Sequence, residues 1–171
     1  MYQEAVACYD KATEINPKNE DAWFNKGNIL HDHGAHREAL DSYDHALKIN
    51  PKNIETWDNK GNVYLGLENY KEAIFCYDRS LEIDRMNTLA WFNKGVALSY
   101  AGNFQKAIDS YDRALSINPR YAKVWVNRGS CLLSLGKTNE AIESYKQFIN
   151  IADPCQKETE EIKKIIEKLS I

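Results

Sequence analysis

Four asparagines, Asn25, Asn59, Asn93 and Asn127, stand 34 residues apart and carry a side chain well suited to holding a polypeptide. An amide offers a donor and an acceptor that match the C=O and N–H of a peptide group. A row of them along one surface can grip an extended main chain without specifying its side chains. The competing roles are helix-to-helix packing between repeated units and simple inheritance by duplication. A second candidate chemistry is metal binding. All four histidines are local: His31, His33, His36 and His45. Convergent imidazoles can ligate Zn²⁺, Ni²⁺ or Cu²⁺, which makes His31, His33 and His36 the candidate ligands. Against this, His31 and His33 fall on different sides of any helix running through them, and His36 takes a place held elsewhere by Tyr70 or Phe104. The expectation is turn histidines with no metal and no cofactor. Gly136-Lys137-Thr138 resembles the end of a phosphate-binding loop. However, Cys131 occupies the position where that loop needs its first glycine, and no strand pattern precedes it. No serine, cysteine or carboxylate pair has a catalytic partner at readable spacing, so the chain is expected not to be an enzyme.

The elements that must position these residues follow from the same period. Trp23, Trp57, Trp91 and Trp125 recur every 34 residues, as do Gly27, Gly61, Gly95 and Gly129. Ala5, Ala39, Ala73, Ala107 and Ala141 keep the register, followed by Tyr9, Tyr43, Tyr77, Tyr111 and Tyr145. Pro17, Pro51 and Pro119 close three units, with Arg85 and Asp153 in that place in the others. Within a unit, Trp57, Gly61 and Tyr64 fall at i, i+4 and i+7, one face of a helix. After a turn near Glu68-Asn69, Ala73, Tyr77 and Ser80 repeat the spacing and give a second helix. Gly61 and Ala73 let the two backbones approach, while Trp57 and Tyr77 fill the space around them. Asn16, Asn50 and Asn118 precede proline and are expected to end the second helices, because the residue before proline is driven out of the helical region. One helix pair cannot bury its apolar face alone, so stacked neighbours must complete the core.

The order Trp-x3-Gly-x2-(Tyr/Leu), Ala-x3-Tyr-x2-Ala, Pro resembles the tetratricopeptide repeat, and the resemblance covers nearly the whole chain. It implies an all-α fold, a right-handed superhelical solenoid of antiparallel helix pairs whose first helices line a concave groove. Full repeats are expected at 20–53, 54–87, 88–121 and 122–155. Residues 1–19 read as the second helix of a truncated repeat, with an exposed face that includes Val6. Residues 156–171 read as a capping helix, with Ile162, Ile165, Ile166 and Leu169 on one face. In the family register the asparagine row faces the groove and looks like the ladder of O-linked N-acetylglucosamine transferases. The same register puts Phe24, Asn28, Asn62, Phe92, Tyr100 and Lys123 on the groove wall. It adds acidic residues (Asp32, Glu55, Asp58) from the first two repeats and mostly apolar ones from the last two, which favours a ligand basic at one end and hydrophobic at the other. Asn62, Asn93 and Lys123 also match part of the clamp that grips chaperone C-termini. Asp58 and Asn127 stand where that clamp needs cations, which argues against a carboxylate ligand. Lys26, Lys60, Lys94 and Arg128 replace the family's usual leucine; their stems are expected to cover the helix interface while their charges reach solvent.

Charge and composition narrow the function further. The net charge is −3, and no basic stripe of the kind nucleic-acid binding requires is visible. No run approaches the roughly 18 apolar residues of a membrane span. Cys8, Cys76, Cys131 and Cys155 form no C-x-x-C pair, which fits a reduced, cytoplasmic protein. The expected function is a protein–protein interaction scaffold that holds a peptide or partner segment in its groove. Two alternatives remain at this stage: self-association through the incomplete N-terminal repeat edge, and metal binding at the histidine-rich turn.

Overall fold

The computed structural model describes residues 2–153 and 157–169; Cys155 and the junction between the fourth repeat and the last helix lie outside them. Among the described residues there are ten α-helices and no strand, the all-α repeat of antiparallel pairs that the periodicity implies. The helices fall into two compact units. The first, Met1–Arg85, contains α1 (Tyr2–Ile15), α2 (Glu20–Asp32), α3 (His36–Ile49), α4 (Ile54–Gly66) and α5 (Tyr70–Ile83). The second, Met86–Ile171, contains α6 (Thr88–Tyr100), α7 (Phe104–Ile117), α8 (Ala122–Ser134), α9 (Thr138–Ile151) and α10 (Lys157–Leu169). Within each unit every helix packs on the next, and α2 also touches α4, as α6 touches α8.

Local chemistry sets the helix ends. Asn19, Asn53 and Asn87 cap α2, α4 and α6, each side-chain oxygen accepting from the backbone N–H three residues on, at 2.8–3.1 Å. Tyr121 holds that place before α8 and makes no side-chain cap. Asn50 and Asn118, the residues before proline, are extended at φ −131° and −129°. Asp84, which precedes Arg85, adopts the same φ of −131°. The bend therefore does not need proline; proline tolerates it.

The helix pairs are locked by glycine meeting tyrosine. Tyr43, Tyr77, Tyr111 and Tyr145 are the largest buried side chains, each at most 2 % exposed. Each ring lies against the glycine of the partner helix. A methyl group on Gly27 would sit 2.6 Å from Cε1 of Tyr43, and one on Gly61 would sit 2.7 Å from Cε1 of Tyr77. Tyr9 is only half-buried, with no glycine packed against its ring among the described residues. The tryptophans have a different place from the one expected: they are half-buried, and Trp23, Trp57 and Trp125 donate their indole N–H to the carbonyls of Pro17, Pro51 and Pro119 at 2.9–3.1 Å. Val6 also departs from expectation. It is half-buried against the cluster of Leu30, Ala39, Tyr43 and Val63, because the second helix of a pair has two neighbours and α2 covers part of this face.

The turns inside the pairs share one conformation. Gly34, Gly102 and Gly136 have φ of +73° to +78°, and the fourth equivalent, Glu68, has φ +60°. The left-handed region costs a non-glycine residue about 1 kcal/mol or more. Glu68→Gly is therefore expected to stabilise the chain, by about 0.5–1 kcal/mol once glycine's greater unfolded-state freedom is subtracted. Chemical denaturation of the two proteins side by side checks this. A lower midpoint for the glycine variant would show that the turn bears no strain.

Candidate functional site

The asparagine row occupies the first helix of each pair, on α2, α4, α6 and α8, and all four side chains are half-buried. Their hydrogen bonding differs. In the first unit, Asn59 donates through Nδ2 to Oδ1 of Asn28 at 2.9 Å. The same oxygen accepts from the hydroxyl of Tyr43 at 2.7 Å. Asn62 accepts from Tyr77 in the same way, at 2.8 Å. Asn28 and Asn62, expected as groove contacts, therefore serve first as acceptors for the core tyrosines. Burial of those hydroxyls raises the tyrosine pKa well above its ordinary value, so the tyrosines remain donors at every physiological pH. In the second unit Val96 and Ser130 hold the equivalent places. Ser130 lies 3.3 Å from the Tyr145 hydroxyl, and Val96 can accept nothing.

Asn25 and Asn127 behave otherwise. Neither side-chain amide has a hydrogen-bond partner among the described residues, and neither is fully buried. Asn59 keeps its Oδ1 after binding Asn28 through Nδ2. Asn25, Asn59 and Asn127 thus present unspent amide capacity at solvent-reachable positions, held on helices whose backbones are fixed by the glycine–tyrosine contacts.

The apolar wall residues also divide by unit. Phe24 is half-buried, packs against the first unit's core cluster and lies 6.3 Å from the Tyr43 ring. Phe92 lies 5.1 Å from Tyr121 and 6.2 Å from Tyr111. Tyr100 is 68 % exposed and Leu89 50 % exposed, both on α6. Lys123 is exposed on α8. On the first unit the corresponding surface carries Asp32 and Glu55, both exposed, and half-buried Asp58.

Known sequences and structures place this architecture. The tetratricopeptide repeat profile matches residues 20–53, 54–87 and 88–121 in unbroken succession, and related repeat profiles match 1–34 and 110–143. The chain belongs to the tetratricopeptide repeat family. No curated protein sequence matches it. Solved structures share the fold. MamA is 21 % identical with a TM-score of 0.84, over 96 % of this chain and 91 % of that one. MamA from Desulfovibrio magneticus RS-1 is 19 % identical with a TM-score of 0.82, over 88 % and 85 %. YrrB, described as a tetratricopeptide protein with an unusual peptide-binding site, is 26 % identical with a TM-score of 0.83, over 95 % and 84 %. The fold is that of a protein-interaction scaffold, and tetratricopeptide modules of this kind are generally non-enzymatic. No described helix is long and apolar enough to cross a membrane.

One feature of this tetratricopeptide chain differs from its sequence reading. The cations that replace the family's leucine do not simply reach solvent. Lys26 pairs with Asp10 at 2.6 Å, Lys60 with Asp44, and Arg128 with Asp112 at 2.6 Å. In each pair the carboxylate comes from the second helix of the preceding repeat. Each cation also lies over the tryptophan three residues before it, with Lys26 5.2 Å from the Trp23 ring and Lys94 5.1 Å from that of Trp91. The signal was present in the sequence as a Tyr-Asp dipeptide in every second helix from Tyr9-Asp10 to Tyr111-Asp112, 16 residues before the cation. The three histidine candidates do not converge. His33 stacks on Tyr2 at 4.0 Å and places Nδ1 2.9 Å from the Ile29 carbonyl oxygen. His45 stacks on Trp23. No group of three or more metal-ligating side chains is assembled among the described residues. His31 and His36 do meet, Nδ1 to Nδ1, at 3.4 Å. Burial, with the neighbouring His36 second, lowers the His31 pKa below its ordinary value, against a smaller opposing pull from Asp32.

Proposed function

We propose that the chain binds an extended peptide segment of another protein along its first-helix faces, with asparagine amides engaging the ligand's main chain. The observation that carries this reading is the unspent hydrogen-bonding capacity of Asn25 and Asn127, half-buried on the same repeat position of two different units. Asn28 and Asn62, by contrast, are engaged by core tyrosines. Surface chemistry refines the ligand. A peptide on the first unit's α2 and α4 faces carboxylates and is matched by Lys or Arg, whereas one on α6 of the second unit faces Leu89 and Tyr100 and is matched by apolar side chains. The peptide-binding site described for YrrB supports a peptide as the ligand class. The reduced, cytoplasmic setting expected from the cysteines suits Cys76, whose thiol is buried and pushed up to about 12.

The test compares capture of proteins from a lysate by the parent chain and by an Asn25→Ala/Asn127→Ala variant of matched helicity. Each lost hydrogen bond contributes about 0.5–1.5 kcal/mol, so captured partners are expected to bind about tenfold more weakly to the variant. The pair is chosen because neither amide supports another side chain. Equal capture by both proteins would move the binding surface off the first-helix face.

A further inference from the structure

The turn between α2 and α3 carries a pair of imidazoles that neither the core nor the amide row uses. His31 lies in the last turn of α2, and His36 opens α3. Their Nδ1 atoms are 3.4 Å apart while the ring centroids are 5.5 Å apart, so the nitrogens are the facing edges. A hydrogen bond from a ring N–H normally spans about 2.7–3.2 Å, which makes this separation long for one. It matches a different arrangement. Two imidazole nitrogens about 2.0–2.1 Å from one metal at a tetrahedral angle lie about 3.3–3.4 Å apart, whereas a square-planar right angle brings them to about 2.9 Å.

We propose that His31 and His36 form a two-histidine Zn²⁺ site, ligating through both Nδ1 atoms with water in the remaining positions. Both side chains are half-buried, so the rings are held by packing while the metal can still enter from solvent. The C-terminal end of α2 and the carboxylate of Asp32 put negative potential beside His31. His33 takes no part, being stacked on Tyr2 with its Nδ1 turned to the Ile29 carbonyl. With both rings neutral, binding releases no net proton: the Nδ1 proton between the rings is replaced by one on Nε2 of the same imidazole. Two protein ligands give an open, exchangeable site that clips α2 to α3 across residues 33–35.

The experiment is a ZnCl₂ titration of the untagged chain at neutral pH, with Cys8→Ser and Cys155→Ser in the background so that neither thiolate competes. Calorimetry gives the affinity, and long-range ¹H–¹⁵N correlations of the imidazoles identify the ligating atoms. One ion is expected to bind per chain, with the Nδ1 resonances of His31 and His36 moving together and both rings becoming Nε2–H tautomers. His31→Gln and His36→Gln should each weaken binding at least about tenfold, while His33→Gln leaves it unchanged. If neither ring responds to millimolar Zn²⁺, or if His31→Gln binds as tightly as its parent, the pair only shares a proton and the site does not exist.

Discussion

Gly61→Ala is expected to destabilise the chain by about 2 kcal/mol or more, although alanine is the better helix former. In an open helix the substitution gains up to about 1 kcal/mol. Here the new methyl group would lie 2.7, 2.9 and 3.0 Å from three ring atoms of Tyr77. That ring is fully buried and its hydroxyl is tied to Asn62, so it cannot swing aside. Either α4 and α5 separate or the tyrosine leaves its pocket, and overpacking of this kind costs about 1–3 kcal/mol, occasionally more. Gly66, later in the same helix, supplies the control. Nothing lies within 4 Å of a methyl group placed there, so Gly66→Ala is expected to be neutral or to stabilise by up to about 1 kcal/mol. Urea denaturation of the two variants separates the effects by sign. A further Tyr77→Leu change in the Gly61→Ala background should recover part of the loss, because it removes the ring atoms that clash. If Gly61→Ala and Gly66→Ala shift the midpoint alike, helix propensity governs this position and close packing does not.

That contrast also marks where the sequence was legible. Two glycines five residues apart on one helix look alike in composition, and only the 34-residue recurrence of Gly61 with Tyr77 distinguishes the packing glycine. Recurrence likewise revealed the helix pairs, their turns and the asparagine row, because a stacked repeat forces each interface position to carry one residue type. It was less informative where a repeated residue has two neighbours. Asn28 and Asn62 were readable as wall residues, but their hydrogen bonds to tyrosines 15 positions away depend on how two helices face each other. The lysines over the tryptophans were read as half-solvated stems; the carboxylates that pair with them lie across a turn, on a helix whose rotation the period does not give. The His31–His36 contact was hidden for a further reason. It occurs in one repeat only, so no recurrence announces it, and it needs the turn at Gly34 to bring the end of α2 back over the start of α3.

Tyr43 joins the core to the amide row, and its substitutions should separate the two roles. The ring is fully buried, and its hydroxyl holds Oδ1 of Asn28, which in turn accepts from Asn59. Removing the ring leaves a large void between α2 and α3, because Gly27 opposite contributes no side chain to fill it. Tyr43→Ala is therefore expected to cost about 3–5 kcal/mol, the range for buried aromatics cut to alanine. Tyr43→Phe keeps the ring and loses only the hydroxyl, at about 1 kcal/mol. Asn28 is half-buried and water can replace the lost donor, which limits that cost. The phenylalanine variant has a second consequence that stability alone does not report: Asn28 is freed to rotate, and Asn59 loses the fixed acceptor that orients it. A double-mutant cycle of Tyr43→Phe with Asn28→Ala should give a coupling of about 0.5–1.5 kcal/mol, and capture of a peptide by the proposed amide row should weaken in the Tyr43→Phe protein although no residue of that row has changed. Zero coupling would mean that the tyrosine hydroxyl does not position the row. A loss below about 1 kcal/mol in Tyr43→Ala would mean that the ring is not the wedge between the two helices.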